Sequence, residues 1–559
     1  MKIVLPRASR GYGFPHLFVV EMNDFDVERL LPSLFYLVVT RGRERAHRGN
    51  DPKAFDKYLS ALAQHRNLEG FGDSAGVHLL GKWIRASIIH TGKVGRAKRE
   101  EQIEYVLPLT LLTYKTGFPS EIRRQRNVHV FLYQVLIKVL EALDARPSPQ
   151  TALWEYFRMA LGKGVNVGPA PRYDGAYDGT AQLDIHALLS LYYLDGFQST
   201  EASRREAGVL CPAMPGAAEL LGQDVLRYLL AYYRHMPPLA LTRGLMALID
   251  FELFVYTGKL LYAGNALTRT GGLSAVARDR EGKWNPEVYV DFTRVRGGLS
   301  DEMARAAVER DLEELRAFFD TIIRLRTLHR FVEFQPAVRA RLEGQDGPEY
   351  LENLVKVADD PGIEARAQAE IESIHHETLE ACQGSVEEQE AEGLFDEVKR
   401  RSHGKAVDFA VQLLADAQRK QAIESYVRWF WSVGGLRKPF GILEGNFRGR
   451  RNWRYAMRDD LLATLVQLAM VEDPSGRLDH VTIRPRLRLQ DFLGFMERRF
   501  GVIVDRPPRF LDTASSREAA GQNLDALKQL LRQMGFFEAL SDDFTAQYLR
   551  APLLEEVTA

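Results

Sequence analysis

Arg324 and His329 stand five residues apart in RLRTLH. A guanidinium that can hold a phosphate and an imidazole that can move a proton near neutral pH are the parts of a metal-independent nuclease. On a helix, that spacing turns the two side chains roughly 140° apart, so a shared site would need a second copy of the chain. The same helix carries an ordinary apolar stripe, Leu312, Leu315, Phe318, Phe319, Ile322 and Ile323, beside which a histidine can simply be an edge residue.

Other residues could hold a metal. Asp174, Asp178, Asp184 and His186 fall together in PRYDGAYDGTAQLDIH, a ligand set suited to a hard divalent cation. Asp-Gly pairs are also what turns require, and Asp184 is placed to cap a helix. Glu372-Ser-Ile-His375, followed by His376 and Glu377, has the Glu-x-x-His spacing of di-iron bundles. Such a site needs a second motif, and only Glu44-Arg-Ala-His47 offers one. Asp396-Glu-Val-Lys399 copies the tail of a restriction-nuclease motif but falls in a helical pattern. Gly76 to Trp83 nearly matches a phosphate loop, with Trp83 where the magnesium-binding Ser or Thr belongs. GKGVNVG at 162–168 reads as a loop. There is no Gly-x-Ser-x-Gly elbow and no His-Glu-x-x-His. The chain therefore reads as a binding protein, with a helical nuclease as the alternative. No cofactor is implied.

The elements that must position these residues are mostly helices. VERLLPSLFYLVV, VFLYQVLIKVLEAL, LDIHALLSLYYL and DVLRYLLAYYRHM repeat apolar residues at three- and four-residue spacing. KIVLP and IEYVLPL are short strand candidates. SAVARDREGKWNPEVYVDFTRV predicts a hairpin over 274–294 turning at Glu281-Gly282, followed by a helix from about Leu299 to Phe334. At 559 residues, and about 100–200 residues per domain, three or four units are expected. We divide them at 1–150, 151–342, 343–425 and 426–559. LTRGLMALIDFELFVYTGKLLYAG is the most apolar stretch, yet Arg243, Asp250, Glu252 and Lys259 mark it as a core helix rather than a membrane span. Two cysteines, Cys211 and Cys382, and the lack of an apolar leader in MKIVLPRASRGYGF suit a cytoplasmic location.

Charge is nearly balanced overall but sharply segregated. Residues 343–397 hold seventeen acidic side chains against two basic ones. From Arg428 to Arg458 the bias reverses to eight basic residues and a single acid, Glu444, with Trp429, Trp431 and Trp453 among them. Beyond Arg458, a helix at 459–471, a turn at 473–476, a short HVTIR strand, the helix LRLQDFLGFMERRF, the strand GVIVD, the helix NLDALKQLLRQMGFFEAL and a final strand FTAQYLRAPL suit a winged-helix-like module. Arg448, Arg450, Arg451, Trp453 and Arg454, with Arg498 and Arg499 on the middle helix, are then the candidate nucleic-acid contacts. Guanidiniums neutralise phosphates and aromatic rings stack on bases. The rival use of these arginines is docking onto acidic protein surface.

WRYAMRDDLLATLVQLAMV, LRLQDFLGFMERRFGVIVDRPP and LRQMGFFEALSDDFTAQYLRAPL, with LSLYYLDGF and LIDFELFVYTGKLLYAGNAL in the middle, resemble accessory subunits of methylation-associated anti-phage defence systems. They are similar, too, to components of phosphorothioation-dependent restriction systems. The resemblance implies a cytoplasmic defence subunit that works beside a methyltransferase, an ATPase or a nuclease; DNA is the partner expected from the basic segment itself. It transfers no active-site residue onto this chain.

Overall fold

A helix of 33 residues with scarcely any polar side must be buried all round, and Pro238–Thr270 is such a helix. Pro238 opens it, and Gly271, in the left-handed region at φ 77°, closes it by donating its N–H to the Leu267 carbonyl. The computed structural model describes residues 3–45, 54–64, 69–87, 89–94, 101–106, 108–111, 113, 126–144, 146, 148–162, 165–166, 172–173, 202–206, 212–280, 284–383, 387–402, 404–447, 449–473, 476–539 and 547–551.

The framework helices are α1 (Leu30–Val39), α2 (Val128–Leu143), α3 (Pro215–Tyr232), α4 (Pro238–Thr270), α5 (Leu299–Glu333), α6 (Pro361–Cys382), α7 (Ala406–Val433), α8 (Asp459–Ala469), α9 (Leu489–Phe500) and α10 (Ala514–Gln533). Helix α4 packs against α3, α5, α7 and α8. The fold is mainly α, as expected. Buried apolar residues of all four sequence segments join one continuous core from Ile3 to Leu549.

The N-terminus contributes a strap rather than a strand. Residues 3–28 cross α6 and α7 without a strand, broken by a short 3-10 turn at Arg7–Ser9. Val4 N–H donates to Thr378 Oγ1 (3.2 Å), the Ser9 hydroxyl to Glu370 (2.6 Å), Gly11 N–H to Gln418 (2.7 Å) and Phe25 N–H to Ser432 Oγ (3.1 Å). Of KIVLP, Lys2 lies outside the described residues and Ile3–Pro6 form no strand, whereas Glu101–Val106 is a strand, paired with Ile89–Val94. The acidic region folds into helices Gly347–Lys356, α6 and Glu387–Arg401. Its Pro-Gly breaks are helix starts: Asp346 and Asp360 cap them by accepting from Glu349 N–H and Gly362 N–H, both at 2.9 Å.

The hairpin expected over 274–294 does not form as drawn. Ser274–Ala277 is a helical turn, because Leu273 and Ser274 N–H groups both donate to the Glu352 carboxylate at 2.6 Å. The β-favouring residues do make a strand, β1 (Val288–Tyr289), but its partner is far along the chain. The other strands near it are β2 (Leu443–Asn446), β3 (Gly449–Tyr455), β4 (Arg486–Arg488), β5 (Val502–Ile503), β6 (Phe537–Ala539) and β7 (Gln547–Arg550). β1 pairs in parallel with β5, Val288 opposite Val502 and Tyr289 opposite Ile503. Asn523 on α10, fully buried, stitches this pair by accepting from Phe292 N–H (2.7 Å) and donating to the carbonyls of Val290 (2.8 Å) and Val504 (3.1 Å). β2 and β3 are an antiparallel hairpin. β4, β7 and β6 form an antiparallel sheet in that spatial order. The last helix starts earlier than the sequence suggested, at Ala514, and ends before Gly535, whose φ of 78° turns the chain into β6.

Candidate functional site

The catalytic candidates do not converge. The Arg324 guanidinium donates to Asp408 on α7 at 2.5 Å, in a cleft of about 580 Å³ between α4, α5 and α7. His329 faces another way. Its Nδ1 shares a hydrogen bond with the Tyr350 hydroxyl, and its ring lies 4.6 Å from His16 and 5.5 Å from Phe14, centre to centre. Burial lowers the His329 pKa, and the neighbouring His16 lowers it further. That is the environment of a packed histidine.

Asp174, Asp178, Asp184 and His186 lie outside the described residues, as do His47 and Cys211. His375 packs edge-on against Phe395 at 4.6 Å, and Glu372 accepts from Gln368 at 2.9 Å. Among the described residues no group of three or more His, Cys, Asp or Glu side chains could hold a metal ion. Gly76 to Trp83 lie inside the helix Ser74–Ser87, so no loop of open N–H groups is presented to a phosphate. Gly76 N–H donates instead to the capping Asp73 carboxylate at 2.6 Å.

The basic–aromatic segment divides into an inner and an outer set. Trp453 is buried, stacked on Phe430, and donates its indole N–H to the Asn446 carbonyl at 2.9 Å. It cannot stack on a base. Arg454 is an internal clamp, not a phosphate contact. Its side chain is 3% exposed and donates to Asp291 (3.0 Å), Asp301 (2.8 Å) and Glu444 (2.6 and 3.0 Å). Arg458 (3.0 Å) and Arg296 (3.5 Å) also pair with Glu444. Burial acts to raise the Glu444 pKa, but the bonded Arg454 guanidinium outweighs it and holds the pKa below its ordinary value.

Arg499 is internal as well. It joins α9 to α3 and α4 through Asp224 (2.7 Å) and Glu252 (3.1 Å). Burial pushes the Glu252 pKa up to about 8 despite that partner. Both arginines sit inside, where a charge must be paired, and each meets carboxylates there. In β3, Trp453, Arg454 and Tyr455 are all buried, so alternation alone would not have revealed it.

The outer set is Arg450 and Arg451, exposed on β3 beyond the anchored end of the hairpin, and Arg498, exposed on α9. Arg448 lies outside the described residues. Sequence reasoning missed the carboxylates that receive Arg454. Asp291 and Asp301 flank the start of α5, where acids read only as caps. It also missed Lys438, which pairs with Glu28 and lies 3.6 Å from Asp26, clamping the strap to the loop after α7. There burial, then Glu28, push Asp26 up to about 8.

A family model described as methylation-associated defense system protein MAD7 matches residues 7–553. The chain belongs to that family. Membership makes it a component of an anti-phage defence system, with other defence subunits as its partners. Of the two resemblances seen in the sequence, the match bears out the first. No curated protein and no solved structure matches the chain. Among the described residues no helix is long and apolar enough to cross a membrane.

Proposed function

We propose that the protein is a non-enzymatic scaffold subunit of its defence complex, and that it contacts nucleic acid through the β2–β3 hairpin. One observation carries the reading. Arg454 fastens the hairpin base to α5 through buried charge pairs, while Arg450 and Arg451 stand exposed on the same strand. A rigidly held arm with outward arginines suits phosphate contact, which positions a protein without reading sequence.

The C-terminal order α8, β4, α9, β5, α10, β6, β7, with β7 lying between β4 and β6, supports a winged-helix-like module beside that arm, although β5 pairs outside it with β1. The engagement of Arg324 by Asp408 and of His329 by Tyr350 supports the non-enzymatic side of the proposal, since each side chain already has a partner within the chain.

The test is fluorescence anisotropy of labelled duplex DNA with the full chain across a salt series. Binding should weaken along a log–log line of slope about −0.9 per neutralised phosphate. Arg450→Glu with Arg451→Glu should remove at least one such unit while leaving the melting curve unchanged. DNA binding unaffected by the double reversal would refute the hairpin contact. No binding by the wild-type chain at low salt would turn the arm into a docking surface for another subunit.

A further inference from the structure

Helices α4, α5 and α7 do not close completely on one another. The cleft of about 580 Å³ between them lies within the range of about 300–1,000 Å³ that encloses a small molecule. Ala317 on α5 and Ala415 on α7 leave it open, because side chains so short cannot reach across. Its floor is polar and satisfied. Buried Asn265 donates to the Glu314 carbonyl (2.9 Å) and carboxylate (2.7 Å) and accepts from the Thr321 hydroxyl (2.9 Å).

The walls are charged, and their acids are all taken. Asp408 accepts from Arg324, Asp320 from Arg419 (3.0 Å) and Asp416 from Arg401 (3.1 Å). A fourth arginine, Arg269 at the end of α4, is exposed and makes no hydrogen bond or ion pair among the described residues. The cleft therefore carries one positive charge in excess.

Two shielded polar atoms belong to the same lining. Arg324 spends an N–H on Asp408, but its buried Nε donates to nothing among the described residues. Gln412 on α7 has a buried Oε1 that accepts nothing there. A buried donor and a buried acceptor left unmade each cost the folded chain stability, and a ligand that meets both would recover that cost.

We propose that this cleft binds a small phosphate ester. Its phosphate accepts from the Arg324 Nε, Arg269 adds charge at the end of α4, and a hydroxyl or amine of the same molecule donates to the Gln412 Oε1. The excess charge selects an anion, and charge-assisted N–H bonds are the strong ones for phosphate. An anion that only accepts would leave Gln412 unanswered, so the ligand must carry its own donor. A sugar phosphate and a nucleotide share that chemistry. The proposal goes beyond the scaffold reading and does not depend on the hairpin.

The experiment is isothermal titration of the full-length chain at low salt with adenosine monophosphate, ribose 5-phosphate and sulfate. The esters should bind more tightly than sulfate, which has no donor. Arg269→Ala removes no bond within the described chain and should weaken all three about threefold, the scale of an exposed charge. Gln412→Met keeps the side chain's length and removes the acceptor. It should weaken the esters about fivefold, leave sulfate unchanged and melt no earlier than wild type. Arg450→Glu with Arg451→Glu should bind the esters as wild type does, which separates a failure here from a failure of the hairpin reading.

Ribose 5-phosphate bound as tightly as the nucleotide would assign the site to sugar phosphates, and the nucleotide bound more tightly would assign it to nucleotides. Neither ester binding up to about 10 mM would overturn the proposal. Esters bound no more tightly than sulfate, or ester binding left unmoved by either substitution, would overturn it as well.

Discussion

Arg454→Ala should unfold part of this protein rather than merely weaken a surface. Among the described residues its guanidinium is the one cation bonded to both Asp291 and Asp301, whose side chains are 0% and 3% exposed. Arg296 approaches Asp301 only at 3.9 Å, and Arg305 reaches its other oxygen at 3.1 Å. Removing one partner of a buried pair leaves an uncompensated charge and costs about 3–5 kcal/mol. At about 1.4 kcal/mol per tenfold, that multiplies local opening by a factor of more than about a hundred. Trp453 and Trp429 are buried close by and report the event. Urea unfolding followed by tryptophan fluorescence is the assay, because urea leaves the ion pairs unscreened. Arg454→Lys should fall between, since one ammonium cannot fork to three carboxylates. A loss below about 1 kcal/mol in the Ala variant, or a variant that stays stable and simply fails to bind nucleic acid, would refute the clamp and return Arg454 to the outer set.

Three further outcomes are expected. Asn523→Ala should destabilise by about 1–3 kcal/mol for each buried backbone group left unpaired, and Asn523→Asp should do no better, because a carboxylate cannot donate to Val290 and Val504; hydrogen exchange at residues 288–292 would report it. Gly501→Ala should lower the melting temperature clearly. Gly501 sits at φ 73°, and a Cβ there would strike the Pro286 carbonyl just where β1 meets β5. Asp250, buried beside Lys438, has its pKa driven well above the ordinary range, first by burial. A carboxyl raised in the folded state favours folding at low pH, and that contribution drains away as pH climbs above about 4 toward the folded value. Asp250→Asn should therefore flatten the fall of stability with rising pH, measured as melting temperature from pH 4 to 9. An unchanged slope would mean Asp250 is ionised in the native protein.

Helices announced themselves wherever a long repeat met clear ends. α5 runs from Leu299 to Glu333, and α8 from Asp459 to Ala469, each within two residues of the reading. Strand partners did not, because pairing is a long-range property: Val288 and Tyr289 look β-forming in sequence, yet nothing near them names Val502 and Ile503. The candidate site failed in the same way. An arginine-rich stretch shows its charge but not its depth. Arg450 and Arg454 look alike in GRRNWRY, and only the distant Asp291 and Asp301 separate an exposed contact from a buried clamp. Arg486–Arg488 is a strand where the sequence read LRL as the start of a helix, because its partner, Gln547–Arg550, lies about sixty residues on.

The strap bears on how the protein is made. Phe18 and Phe25 lie 6.0 and 5.6 Å from Trp429, ring to ring, so these apolar residues leave the ribosome some four hundred residues before the partner they pack on. At about 5–20 residues per second, that is a wait of about 20–80 seconds. Until α7 emerges, those phenylalanines have no native place to go, and the early helices cannot finish their core. An interrupted chain therefore stays sticky and open, visible to chaperones and proteases. Only a chain elongated past α7 can close the strap, so closure of this region waits on synthesis reaching Val433.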